Sequence, residues 1–130
     1  VGIAGGGARL YRNSTDITPG GSGVYYLPVY QRGISVADDD ANTVVIAVTT
    51  RTDIPGTRKV FRTHNGRAAA PTWTELTNTN IANARRVYAV NRTTYYLIGV
   101  SGYLAYTSDG ATVNEGAISG AGELVGLCGV

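Results

Sequence analysis

The side chains best suited to chemistry in this chain are few and scattered. Asp38-Asp39-Asp40 is the one acidic run, and clustered carboxylate oxygens suit a hard cation such as calcium. The run passes into Ala41-Asn42 without the alternating ligand spacing of an ordered cation loop, and it reads as a polar turn between strands. His64 is the single histidine, has no Ser or Cys nucleophile beside it, and falls in a solvent-facing turn, so no catalytic role is assigned to it. One cysteine, Cys128, excludes an intrachain disulfide, and with a lone histidine it excludes a His/Cys metal cage. No cofactor and no metal are expected. Asn13-Ser14-Thr15 and Asn91-Arg92-Thr93 fit the N-glycosylation pattern, which is short enough to recur by chance in an Asn/Thr-rich chain.

Aromatic residues are the stronger functional signal. Trp73, Tyr25, Tyr26, Tyr95, Tyr96, Tyr103 and Tyr106 offer ring faces that stack on sugar C–H groups and phenols that bond hydroxyls. The competing reading is packing between sheets. Neighbouring tyrosines point to opposite sheet faces, so one member of Tyr25-Tyr26 and one of Tyr95-Tyr96 belongs to the core. The glycan-stacking candidates are Trp73, Tyr26, Tyr96 and Tyr103.

The scaffold that must position these groups is set by composition. In 130 residues there is room for one core. Charged residues are 15% of the chain against about 25% in ordinary soluble domains, while 43% are hydrophobic and 18 are Gly. Surface and turns therefore fall to Thr, Asn, Ser and Gly, the composition of an all-β extracellular or virion protein. The net charge is +2 with no basic run beyond Arg58-Lys59 or Arg85-Arg86, which gives nucleic acid no electrostatic handle. The longest apolar run, Val44 to Val48, is far short of the roughly 20 residues that span a bilayer, so membrane insertion is not expected. Met is absent, position 1 included, and no charged-then-apolar segment opens the chain, which reads as a processed chain or an excerpt.

Apolar segments are short, β-branched or aromatic, and punctuated by Gly, Asn, Asp and Pro, the pattern of strands. Strands are expected over Ala8 to Arg12, Val24 to Tyr30, Thr43 to Thr49, Lys59 to Thr63, Thr72 to Leu76, Arg86 to Val90, Thr94 to Val100 and Tyr103 to Thr107. Weaker ones are Ile34 to Ala37, Thr112 to Ile118 and Glu123 to Cys128. Only Asn80 to Arg86 shows a helical period, too briefly for a stable helix. Asn65-Gly66, Ser101-Gly102 and Asp109-Gly110 mark hairpins, and Pro55-Gly56 a longer loop.

An internal repeat organises the strands. Tyr103-Leu-Ala-Tyr-Thr107-Ser108-Asp109-Gly110-Ala-Thr112-Val113 is a strand, a hydroxyl residue, an Asp-Gly turn and a second strand. Lys59-Val-Phe-Arg-Thr63-His64-Asn65-Gly66, five inserted residues and Thr72-Trp73-Thr74 repeat it, and Ala8 to Asp16 followed by Val24-Tyr25-Tyr26 is a looser third copy. Ser14, Thr63 and Thr107 align at intervals of 49 and 44 residues, inside the roughly 40 to 50 residues of a four-stranded propeller blade. The segments divide as 1–32, 33–79 and 80–120 within one domain, with 121–130 a strand of a further or shared blade.

These residues resemble the Asp-box, or bacterial neuraminidase repeat: an aromatic strand, then Ser/Thr-x-Asp-(x)-Gly-x-Thr-Trp. Thr107 to Thr112 match it, with Val113 at the Trp position; Thr63, Asn65, Gly66, Thr72 and Trp73 match with Asn for Asp and an insertion; Ser14 and Asp16 survive in the first copy. The resemblance implies an all-β, propeller-like array of about three four-stranded antiparallel blades, with a β-sandwich or jelly roll as the alternative. It implies a structural role for Ser14, Asp16, Thr63, Asn65, Gly66, Thr107, Asp109 and Gly110: hydroxyl and carboxylate hold turn N–H groups, and Gly takes a positive φ. Sialidases of this pattern use arginines on a carboxylate, and Arg9, Arg12, Arg62, Arg85 and Arg86 are of that type. Glu occurs only at 75, 115 and 123, however, and no nucleophile pair with a separate acid is found beside them.

The expected protein is thus no enzyme but a structural or binding module of a virion, phage fibre or cell surface. A lectin-like propeller is the alternative, and a fragment of a sialidase-like hydrolase is the third class. A closed propeller typically needs at least four blades, so the chain is expected to pair through Ala8 to Arg12 or Glu123 to Cys128 with other copies or with further parts of a larger polypeptide. Cys128 would then be a buried small hydrophobe.

Overall fold

A computed structural model describes residues 11–20, 25–26, 33–50, 58–117 and 120–126. For 11, 25, 26, 49, 50 and 117 it describes the backbone alone. The chain is all-β. Among the described residues the strands are β1 (Tyr11–Arg12), β2 (Thr15–Asp16), β3 (Tyr25–Tyr26), β4 (Ile34–Val36), β5 (Val44–Thr50), β6 (Arg58–Thr63), β7 (Thr74–Leu76), β8 (Ala84–Ala89), β9 (Tyr95–Gly99), β10 (Tyr103–Thr107) and β11 (Asn114–Ala117). The weak helical period before β8 yields one turn of 3-10 helix, Ile81–Asn83. Among the described residues no helix is long and apolar enough to cross a membrane.

Two antiparallel meanders form the body, β4-β5-β6-β7 and β8-β9-β10-β11. Within each meander, neighbours in sequence are neighbours in space. β3, which falls in the 1–32 segment, pairs with the far end of β5 through Tyr25↔Thr50 and Tyr26↔Thr49. β1 and β2 form a minimal hairpin about Asn13 (φ 46°) and Ser14 (φ 68°).

Burial explains the composition of β5. Val45 and Ala47 point to one face and join Val60, Leu76, Val87, Tyr95, Leu97 and Ala105 in the core between the meanders. Ile46 and Val48 point to the other face, where they join Phe61 and Ile17, with Ile34 and Trp73 packed alongside. A strand covered on both faces reads as a continuous apolar run, and Val45, Ile46 and Val48 are fully buried.

Strand ends differ from expectation where side chains claim backbone N–H groups. β7 starts at Thr74 and not Thr72, because the Thr72 N–H donates to Asn65 Oδ1 at 2.8 Å. β11 starts at Asn114 because the Thr112 N–H donates to Asp109 Oδ1 at 2.7 Å. β8 starts two residues early and carries an irregularity between Ala84 and Arg86. The expected strand Glu123 to Cys128 is corrected over its described part: 121–126 form none, since Leu124 N–H donates to Gly99 O (2.8 Å) and Gly122 O accepts from Gly102 N–H (2.7 Å) at the β9-β10 turn. Cys128, Arg9, the Pro55-Gly56 loop and the start of the Ala8 to Arg12 strand lie outside the described residues.

Candidate functional site

The two meanders place the Asn65-Gly66 and Asp109-Gly110 turns on one rim. Val44 pairs with Thr63 and Tyr95 with Thr107, so the strand-starting loops 37–43 and 90–94 lie beside the turns 63–72 and 107–112. Thr63 and Thr107 are fully buried. The Thr63 hydroxyl donates to Asn65 Oδ1 (2.6 Å) and accepts the Asn65 N–H (3.2 Å). The Thr107 hydroxyl donates to Asp109 Oδ1 (2.9 Å) and accepts the Asp109 N–H (3.4 Å). Asp109 Oδ1 also takes the N–H groups of Ala111 and Thr112. The backbone bond from Ala111, then those from Thr112 and Thr107, hold its carboxyl well below the usual range.

The glycines differ from each other. Gly110 takes the expected left-handed φ of 73°. Gly66 does not, and the expectation is corrected there: its N–H donates to Asn42 O at 2.8 Å, and an added Cβ would stand 3.0 Å from Val44 Cγ2 and 3.1 Å from Asn42 O. Close approach, and not a positive φ, is what favours a small residue at 66. The first copy is built otherwise. Ser14 is exposed within the tight β1-β2 turn, and Asp16 Oδ1 accepts the Thr18 N–H at 3.0 Å.

Between the two Asx turns runs a line of side chains whose junctions sequence reasoning missed. Asp40 Oδ2 accepts the Thr43 hydroxyl (2.7 Å), and Thr43 Oγ1 lies 2.9 Å from His64 Nδ1. Because the hydroxyl proton goes to the carboxylate, His64 Nδ1 carries the proton that Thr43 accepts. Arg92 sits 3.6 Å from the same carboxylate oxygen. The hydroxyl from Thr43 and the Asn42 N–H hold Asp40 below its ordinary value. A nucleophilic triad puts the imidazole in the middle, where it takes the hydroxyl proton. Here the hydroxyl is in the middle, is fully buried and gives its proton to the carboxylate, an order that braces a turn and does not activate a nucleophile. A signal existed: Asp40 and Asn91 each precede a Thr that opens a strand, and Asn91 Oδ1 takes the N–H groups of Thr93 and Thr94 at 2.9 Å, as Asp40 Oδ1 takes that of Asn42 at 3.0 Å.

No family model, curated protein or solved structure matches this chain.

Among the described residues Arg12, Arg62, Arg85 and Arg86 turn to separate surroundings. Arg12 Nη1 donates to Gly66 O at 3.3 Å, Arg62 Nε to Gly110 O at 2.5 Å, and Arg85 to Ala82 O and Ala84 O. Arg86 lines a separate cavity of about 340 Å³ with Ser35, Tyr88 and Val125. The acidic run also disperses: Asp38 accepts the Tyr88 hydroxyl at 2.8 Å while Asp40 faces Thr43. Among the described residues no three His, Cys, Asp or Glu side chains are placed to hold a metal.

One of the four aromatic candidates, Tyr103, is corrected. Tyr103 is 2% exposed, its hydroxyl has no partner among the described residues, and burial, aided by Glu115, pushes it up to about 12. It is a core residue, because its position on β10 faces β4-β5-β6-β7. Trp73 is half-buried against the Ile46-Val48-Phe61 cluster, and its indole N–H donates to Ile17 O at 2.9 Å. It clamps residues 11–18 onto the sheet. Tyr96 is exposed, 37%, and pairs with Tyr106, 47%, at a centroid distance of 6.5 Å and 33° between planes. As alternation requires, Tyr95 is fully buried. The backbone of Tyr26 lies in β3, and its side chain falls outside the described residues.

His64 provides a test of this rim. Partial burial, then the nearby Arg62 and Arg92, lower its pKa from the ordinary 6.5, against an opposing pull from Asp40. The folded state therefore binds fewer protons than the unfolded state just below pH 6.5, and stability rises with pH across that window. The single imidazole resonance should titrate below 6.5 in NMR, and Arg92→Gln should raise its midpoint. A midpoint at or above 6.5 overturns the placement.

Proposed function

We propose that the chain is a non-enzymatic structural or binding module, a propeller-like array of blades with Asp-box-like turns, carried on a virion, phage fibre or cell surface. It assembles there with other copies of itself or with further parts of a larger polypeptide. The observation that carries this reading is a repeated joint: Arg12 reaches the carbonyl of Gly66 in the next layer, and Arg62 reaches the carbonyl of Gly110 in the layer after that. Rim side chains that resemble catalytic groups are committed to backbone, as Thr63, Asn65, Thr107 and Asp109 are. Low charge and Thr/Gly-rich β structure support the surface location. Light scattering should give a native mass above 13.6 kDa; a mass of one chain at every concentration overturns the assembly.

A lectin-like function is the second reading, favoured by the exposed Tyr96-Tyr106 pair. It predicts binding on a glycan array that Tyr96→Ala and Tyr106→Ala remove with circular dichroism unchanged. Trp73→Ala would be uninformative in that assay, since it loosens residues 11–18.

A further inference from the structure

Register makes the two meanders superimposable. Val45 pairs with Arg62 where Tyr96 pairs with Tyr106, and Ala47 pairs with Val60 where Ile98 pairs with Leu104. On the first meander, Val45, Ala47 and Val60 form the face buried against the second, and Arg62 reaches across to Gly110. On the second meander, the same positions form the face turned away from the first. Ile98 there is buried and Leu104 half-buried, while Tyr96 and Tyr106 at the rim, with Asn114 and Gly116 of β11 beside them, are exposed.

The reverse faces correspond as well. Ile46 and Phe61 of the first meander meet Ile17 behind them, as Leu97 and Ala105 of the second meet the first meander. Layer follows layer in one direction: 11–18 on the first meander, the first on the second. Each step puts an Arg on a Gly carbonyl of the following turn. The last layer has Tyr106 where Arg62 stands in the first meander, a residue whose O–H can also donate to a carbonyl. The stack thus has a Tyr end and, at the same rim, a hairpin end at the exposed Asn13, Ser14 and Thr15.

We infer that the Tyr96-Tyr106 face seats the β1-β2 hairpin end of a second copy of this chain, head to tail. The occupant follows from the internal joint, which shows which surface this sequence places on such a face. The two ends are different surfaces, so the contact is heterologous and propagates into a ring or a filament. The inference rests on the assembly reading above and names the surface that assembly uses.

Mixed cross-linking tests it. In a Cys128→Ser background, Tyr106→Cys and Ser14→Cys are made on separate copies, purified reduced, mixed and oxidised. The expected product is a disulfide-linked pair of about twice the 13.6 kDa chain mass, formed at least tenfold faster in the mixture than by either variant alone. Tyr96→Arg with Tyr106→Arg should lower the native mass to one chain while circular dichroism stays that of a β protein; Tyr96→Ser with Tyr106→Ser is the milder form should the first misfold. Preferential self-linking of Tyr106→Cys would replace the head-to-tail contact by a two-fold one and overturn the inference. A native mass above one chain that survives both double variants, with no mixed product, overturns this surface and leaves assembly standing. A single-chain mass for the unaltered protein overturns both.

Discussion

Gly99→Ala is expected to abolish cooperative folding or to lower stability by more than about 3 kcal/mol, the upper end of ordinary overpacking. Gly99 closes β9 where β8 begins irregularly at Ala84, and a Cβ there would be driven into the Asn83 carbonyl. The obstacle is backbone, which cannot rotate aside. That carbonyl accepts the Val100 N–H at 3.1 Å, and Gly99 O accepts the Leu124 N–H at 2.8 Å, so displacement breaks two further connections. Against a typical total of about 5–15 kcal/mol the loss is decisive. Urea unfolding followed by circular dichroism measures it, with Gly122→Ala as the control, since an added Cβ there meets nothing within 4 Å. A midpoint for Gly99→Ala equal to that of the control would refute the assigned register of β8 on β9.

Thr63→Val and Thr107→Val should each destabilise the chain by about 1–3 kcal/mol, the cost of leaving buried polar partners unpaired. Valine keeps the shape and removes a group that donates to one Asx side chain and accepts from its N–H. Ser at either position should recover most of the loss because it restores both bonds. The loss at 107 is expected to be the larger, because that hydroxyl donates to the ionised Asp109 carboxylate and Thr63 to the neutral Asn65 amide. If Val is tolerated in thermal melts of both variants, the turns are held by strand pairing alone.

The strands and the three hairpin dipeptides were legible because alternation and turn chemistry are local. Tyr103 to Thr107 is occupied as expected, and Asn65-Gly66, Ser101-Gly102 and Asp109-Gly110 each join paired strands. The aromatic candidates were legible only in part. A strand's alternation separates Tyr95 from Tyr96, but which face of β10 is covered depends on the neighbouring meander, which alone shows that Tyr103 is core. The Asp40-Thr43-His64 line joins residues 21 and more positions apart by a register that only the β5-β6 pairing sets. The partners of Arg12 and Arg62, two glycine carbonyls in later repeats, carry no side-chain signature.

Trp73 is the sole tryptophan, and its indole is bonded to Ile17 O at the seam between residues 11–18 and the first meander. Tryptophan emission from this protein therefore originates at a single seam. Its colour and intensity report the polarity of that seam, whereas the amide circular dichroism averages over every strand. The amino-terminal layer thus has its own optical channel, in which its detachment is resolved from the melting of the sheets behind it.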